Sequence, residues 1–251
     1  MEHSFIDKYS DLNSFIHKLD PRCKIISFFL YILFVVLSKP TDFLKFFLYF
    51  TIILIIVFFS RVPILYVVKR SFIIIPFVLL VAIFLPFLRE GEVSGGYNLS
   101  SNYSKLLIFW NIFIKSYLSV LSMIILSSTT KFTMFLKGLE CLKVPKVLIM
   151  ILSFMYRYIF VLIDEAERLE RARNMRYFGG YYLRQIKIFA NIIGLLFIRA
   201  YERGERVYQS MVARGFDGKV RTLNTLKLRM TDILFSIVFL GILIIIKIWE
   251  M

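Results

Sequence analysis

The side chains with the clearest capacity for recognition chemistry are two arginines at matching places. Residues 165–180 read EAERLERARNMRYFGG and residues 208–221 read YQSMVARGFDGKVR. A shift of 38 residues lays Glu167-Arg168 on Glu205-Arg206, Arg176 on Arg214, Phe178 on Phe216 and Gly180 on Gly218. An arginine offers a planar fork of five donors that fits a carboxylate, and a small neighbour such as Ala213 lets a partner come close. Helix capping alone explains one such end. Arginine in a last turn faces the negative end of the helix dipole, and FGG (178–180) and FDG (216–218) are read as ending the two helices, because glycine accepts the left-handed conformation that stops a helix. The second occurrence, in the same order, points instead to two grips on another protein.

Both arms are patterned as long helices. The first carries Ala166, Leu169, Ala172 and Met175 on one stripe, and the second carries Ala200, Gly204, Val207 and Met211. Glutamates and arginines fill the remaining faces. Glu167 with Arg171 and Glu202 with Arg206 have the favourable order at four-residue spacing, worth ~0.3–0.5 kcal/mol each.

The elements that position these arms are greasy. The chain has 251 residues, 59% of them hydrophobic, with 27 Phe and a formal charge of +15. Residues 131–229 hold 19 Lys and Arg against 8 Asp and Glu. In a chain with membrane-length apolar runs, such a block marks the cytoplasmic side. Spanning a bilayer takes roughly 20 apolar residues. Five runs are candidates: 25–37 with its flanks, 43–59, 71–88 with Pro76 and Pro86 as expected kinks, 106–126 and 233–249. The first is no signal peptide, because a charged lead precedes it and no small-residue cleavage site follows. Before it, Asp20 and Pro21 predict an N-cap and first helical position.

The expected fold is therefore an all-α membrane protein with about five spans and two long crossed cytoplasmic helices. Residues 1–130 form a membrane bundle, 131–229 the arm region and 230–251 a last span. The N-terminus and the arms lie inside the cell. Segment 147–163 is nearly long enough to span, but Arg157 sits in its middle. It is read as buried against the bundle near the interface. Lys45, Lys115 and Arg157 stand within apolar runs and suit either contact with a partner or burial against helix ends.

Several chemistries are excluded. No G-x-x-x-x-G-K-[ST] run exists to cradle phosphates. His3 and His17 stand apart, so no metal cluster is expected; only the MEH start offers a square-planar Cu(II) or Ni(II) geometry. Cys23 and Cys141 suggest neither disulfide nor zinc. The basic block pairs its charges with glutamates, unlike a phosphate-tracking groove, so no nucleic acid is expected. ARGFDG loosely resembles the reversed phosphatidyltransferase motif, yet after Asp217 only Asp232 and Glu250 remain to hold a metal. A stand-alone secondary transporter would show repeated or broken spans, and none is seen.

The segments LDPR (19–22), VP (144–145), YRYIFVLIDEAERLERAR (156–173) and ERVYQSMVARGFDG (205–218) resemble the transmembrane component of energy-coupling factor transporters, most closely the CbiQ type of cobalt uptake systems. The resemblance implies a coupling subunit that is not an enzyme and carries no cofactor, ATP and magnesium being held by a partner. It implies two ABC ATPase subunits, a CbiM-like metal-capture membrane protein and a small accessory membrane subunit, in a prokaryotic cell membrane. Nickel uptake, or a module shared among vitamin-capture subunits, is the alternative cargo. The ATPase-docking motifs carried over are Ala213-Arg214-Gly215 and Met175-Arg176-Tyr177, with Ala172-Arg173-Asn174 a second register for the first. Glu167, Arg168, Phe178, Gly180, Glu205, Arg206, Phe216 and Gly218 would support them. Met175 and Tyr177 depart from the small residues the family pattern has there.

Overall fold

The computed structural model describes residues 10, 12, 14–39, 42–88, 102–175, 182–218 and 228–248, and helices are their only regular structure. In order these are α1 (Phe15–Lys18), α2 (Pro21–Leu37), α3 (Phe43–Ser60), α4 (Ile64–Leu88), α5 (Asn102–Thr129), α6 (Phe132–Cys141), α7 (Lys146–Met175), α8 (Tyr182–Ala213) and α9 (Met230–Ile248). They divide into two compact units. Lys143–Thr225 forms one, and the chain before and after it forms the other.

The second unit is a bundle in which α2 packs on α5, α6 and α9, and α5 also packs on α3 and α4. Its first long helix begins as the sequence predicts. Asp20 is the N-cap, with Oδ1 accepting from the Arg22 N–H at 2.9 Å, and Pro21 takes the first position, where its missing N–H costs nothing. Tyr31, Val35, Tyr49, Ile53, Leu118, Ile125 and Leu243 form the fully buried centre. The Tyr31 hydroxyl donates to the Tyr49 carbonyl at 3.1 Å, and the two rings meet edge to face. Lipid is as apolar as leucine, so close packing and such hydrogen bonds hold this interior more than water exclusion does.

Two lysines within apolar runs are committed to helix ends. Lys115 Nζ donates to the Val36 and Ser38 carbonyls at 2.9 and 2.7 Å, capping the negative end of α2. Lys45 pairs with Asp42 at 2.8 Å beside the start of α3. Helix α4 runs unbroken past Pro76 and Pro86 and begins seven residues before the apolar run at Ser71.

The connector α6 lies on the first turn of α2 through Gly138. A Cβ there would stand 2.7 Å from Ile25 Cδ1 and 3.4 Å from the Pro21 carbonyl carbon. Ile25 can swing away, whereas Pro21 cannot. Gly138→Ala is therefore expected to keep the thermal midpoint of the detergent-purified chain within a few degrees. Gly138→Val overpacks the contact by about 1–3 kcal/mol and is expected to lower that midpoint clearly.

Among the described helices, α3, residues Phe109–Thr129 of α5, α7 and α9 are long and apolar enough to cross a bilayer. Helix α2 is one residue short of that length, at 17. The chain is a multi-pass, all-α membrane protein. Segment 147–163 is the first half of α7, a helix that continues unbroken through Arg157 into the charged arm and has no buried residue within its own unit.

Candidate coupling helices and their tips

The arms are the C-terminal halves of two continuous helices. Helix α7 has 30 residues and α8 has 32, so each is roughly 45–48 Å long at 1.5 Å per residue. Their contacts run antiparallel. The Arg173 guanidinium lies 4.4 Å from the centre of the Phe189 ring, and Arg199 pairs with Glu165. Farther along, Phe154 and Tyr158 of α7 face Gly204, Val207 and Met211 of α8. Of the two expected four-residue ion pairs, Glu202 with Arg206 forms, at 3.7 Å. Arg171 instead donates from Nε to the Glu167 backbone carbonyl, and the Glu165 carboxylate takes Arg168 and Arg199. Exposed pairs of this kind contribute little stability; the Glu165–Arg199 contact marks the register of α7 against α8.

Helix α7 is described as far as Met175, and α8 ends at Ala213, one residue before Arg214. Antiparallel pairing puts Met175 and Ala213 at opposite extremes of the pair, roughly one α8 length apart.

The second tip is resolved in atomic detail. The Phe216 N–H donates to the Met211 carbonyl at 3.0 Å and the Gly215 N–H to Val212 at 2.9 Å, with Gly215 at φ +78°. This is a Schellman cap, in which glycine takes the left-handed place and the next residue folds back on the last turn. The left-handed stop is thus Gly215 and not the glycine of FDG, although Gly218 also has φ +78° in the following turn. Ala213, Arg214 and Gly215 are exposed, while Phe216 and Met211 are half-buried. The cap presents the guanidinium at the end of a stiff rod. Of the first tip, Met175 is 86% exposed. Arg176, Tyr177, Phe178 and Gly180 lie outside the described residues.

Glu167, Arg168, Glu205 and Arg206 are exposed on the shafts, and Glu205 accepts from Gln209. Arg157 is exposed, with its guanidinium 5.9 Å from the centre of its neighbour Tyr158. Among the described residues no group of His, Cys, Asp and Glu is placed to hold a metal ion. His17 is bonded to Ser14, and both oxygens of Asp232 accept backbone N–H groups.

Sequence reasoning grouped Ala200, Gly204, Val207 and Met211 as one stripe but did not find what they build. With Phe154, Tyr158, Val161, Leu162 and Arg203 they line an open, mainly apolar groove of about 240 Å³. Nothing stands within 4 Å of where a Gly204 Cβ would be. Small residues four apart on an uncovered face allow another helix's backbone to approach closely.

Comparison with known proteins adds an independent observation. Residues 12–225 match the family described as CbiQ, cobalt transport protein. The chain is 26% identical over 97% of its length to an uncharacterised protein of Methanocaldococcus jannaschii, covering 86% of that protein. It is 30% identical to the energy-coupling factor transporter transmembrane protein EcfT of Listeria innocua, over 92% of each chain. It is 36% identical over 39% of its length to a chain of Methanocorpusculum labreanum named as a fused cobalt transport protein, CbiMQ, matching 16% of it.

Proposed function

The chain belongs to the CbiQ family of cobalt transport proteins, and from that premise we propose that it couples ATP hydrolysis by two partner ATPases to cobalt ion uptake. As a membrane component of the CbiQ and EcfT kind, it is part of a transporter and not an enzyme. The observation that carries the proposal is the pair of long antiparallel helices α7 and α8, the second closed by an exposed cap at Ala213-Arg214-Gly215.

Two identical or related ATPase subunits would each take one tip, Met175-Arg176-Tyr177 or Ala213-Arg214-Gly215. The arginine would reach a carboxylate in a groove of the ATPase. Two stiff shafts joined by packing and by the Glu165–Arg199 pair turn a change in tip separation into rotation of the pair. The groove around Gly204 would hold a helix of a separate substrate-capture subunit of the CbiM type, which that rotation would turn or release. The fusion named CbiMQ joins two such components in one chain and supports this partnership. The tips and the N-terminus face the cytoplasm on this reading, where the basic block 131–229 and ATP both belong.

Affinity purification of the intact chain from its native membrane, followed by quantitative mass spectrometry, tests the proposal. About two ATPase copies per chain with a metal-capture membrane protein is the expected result. A vitamin-capture subunit in its place would keep the mechanism and overturn cobalt. No ATPase would overturn the coupling role.

The cap at Gly215 allows a finer test. Gly215→Val forces a β-branched residue to φ +78°, where strain costs about 1–2 kcal/mol, and is expected to unwind the tip and reduce bound ATPase. Gly215→Asn adds bulk but tolerates that conformation. It is expected to retain ATPase within about two-fold, as read by co-purification; loss in both variants would mean the partner needs the bare glycine surface.

A further inference from the structure

Four helix ends of the bundle unit converge on one buried ionic cluster. Lys24 is 1% exposed, Asp232 is 2% and Asp20 is 6%. Lys24 Nζ donates to the Thr129 carbonyl at the end of α5 (3.0 Å) and to the His17 carbonyl within α1 (3.2 Å). An ammonium at the end of α5 meets the negative end of its dipole. The Asp232 carboxylate, in the first turn of α9, accepts from the Asp20 N–H at the start of α2 (3.3 Å) and from the Arg229 N–H (2.9 Å). Asp232 and Asp20 act on the buried Lys24 charge through space and not as ion pairs, and the direct tie from Asp232 to the start of α2 is the Asp20 N–H. Thr129 is itself buried, its hydroxyl bonded to the Ile125 carbonyl.

The position of this cluster along the chain is what gives it a consequence. The chain leaves the bundle unit after Leu142 and returns at Leu226. The outgoing segment is tied at Thr129 by Lys24, and α6 then lies on Pro21 through Gly138. The returning segment is tied at Arg229 and Asp232. Both covalent routes between the arm unit and the bundle are therefore anchored on the same five residues, Asp20–Lys24, at the start of α2.

We propose that the Asp20–Lys24–Asp232 cluster is a force-bearing anchor, which makes the bundle respond as one body when the arms move. The proposal rests on the coupling function given above and assigns a positioning role to residues that touch neither nucleotide nor cargo. Without the anchor, α6 and the start of α9 would yield locally, and arm motion would be spent before it reached α2, α3 and α5.

The experiment uses the full transporter with Lys24→Met and Asp232→Asn variants of this chain. ATP hydrolysis and cobalt-57 accumulation are measured in the same vesicles. Hydrogen exchange at 129–142 and 229–234 is followed on the purified chain. Expected are faster exchange at those two segments with α3 unchanged, hydrolysis within about two-fold of wild type, and uptake per ATP reduced on the order of ten-fold. Should Lys24→Met fail to insert, Asp232→Asn carries the test, because its amide oxygen still accepts a hydrogen bond while the charge is gone. Faster exchange with unchanged uptake per ATP would overturn the anchor's role in coupling. Unchanged exchange would show that the cluster holds nothing. Wild-type vesicles that bind no ATPase and take up no ion would instead overturn the coupling function, and the anchor's role with it.

Discussion

Reversing both tip arginines, Arg176→Glu with Arg214→Glu, is expected to cut ATPase co-purification by at least about a hundredfold while the chain inserts at its normal level. The size follows from the chemistry of the contact. Truncating one partner of a buried, hydrogen-bonded charge pair costs about 2–5 kcal/mol, and replacing the cation by a second carboxylate adds repulsion. Each 1.4 kcal/mol is tenfold in affinity. Both tips must be changed because two joined sites act with a high effective concentration, so one intact tip keeps much of the binding. Nothing in the fold opposes the substitution at Arg214. The residue is exposed, and the cap is made by the backbone of Phe216 and Gly215, so its geometry survives the exchange. Quantitative immunoprecipitation against either ATPase reads the result directly. Association that survives the double reversal would remove the docking assignment from both motifs, leaving Arg214 as a solvated helix-end residue.

What the sequence could reveal about this chain depended on whether the information was local. The Asp20-Pro21 helix start was legible, since caps are written in consecutive residues. So was the helical character of both arms, whose charged shafts lie within α7 and α8. The Gly215 cap was misplaced onto FDG because two glycines three residues apart both adopt φ +78°, and only the hydrogen-bond pattern says which one closes α8. Helix α7 was hidden for a different reason. An apolar half and a charged half look like two elements, yet no proline or glycine separates them, and the backbone continues through Arg157 to Met175. Lys24 and Asp232 lie about two hundred residues apart in sequence. The trace they left was a lysine and a carboxylate in the first turns of two mainly apolar helices, which does not say that the two meet.

The uncovered face of α8 supports the other large effect. Gly204→Leu is expected to leave ATPase association unchanged and to reduce the co-purified capture subunit on the order of ten-fold, with uptake falling in proportion. The substitution separates folding from binding unusually well. Outside the helix's own backbone no atom stands within 4 Å of the new Cβ, so the side chain starts into the open groove. Leucine is also a better helix former than glycine, by somewhat less than the ~0.8–1.0 kcal/mol that separates alanine from glycine, so α8 gains local stability. A helix seated against Ala200 and Gly204 would instead be pushed outward, losing the close backbone contact that small residues permit. Gly204→Ala, which adds one methyl group, is expected to retain most of the subunit. Because α8 carries both this face and the Ala213-Arg214-Gly215 tip, the variant should hydrolyse ATP without passing its work to cargo. If the capture subunit stays bound to Gly204→Leu at the wild-type level, it meets this chain elsewhere, and the groove around Gly204 is not its seat.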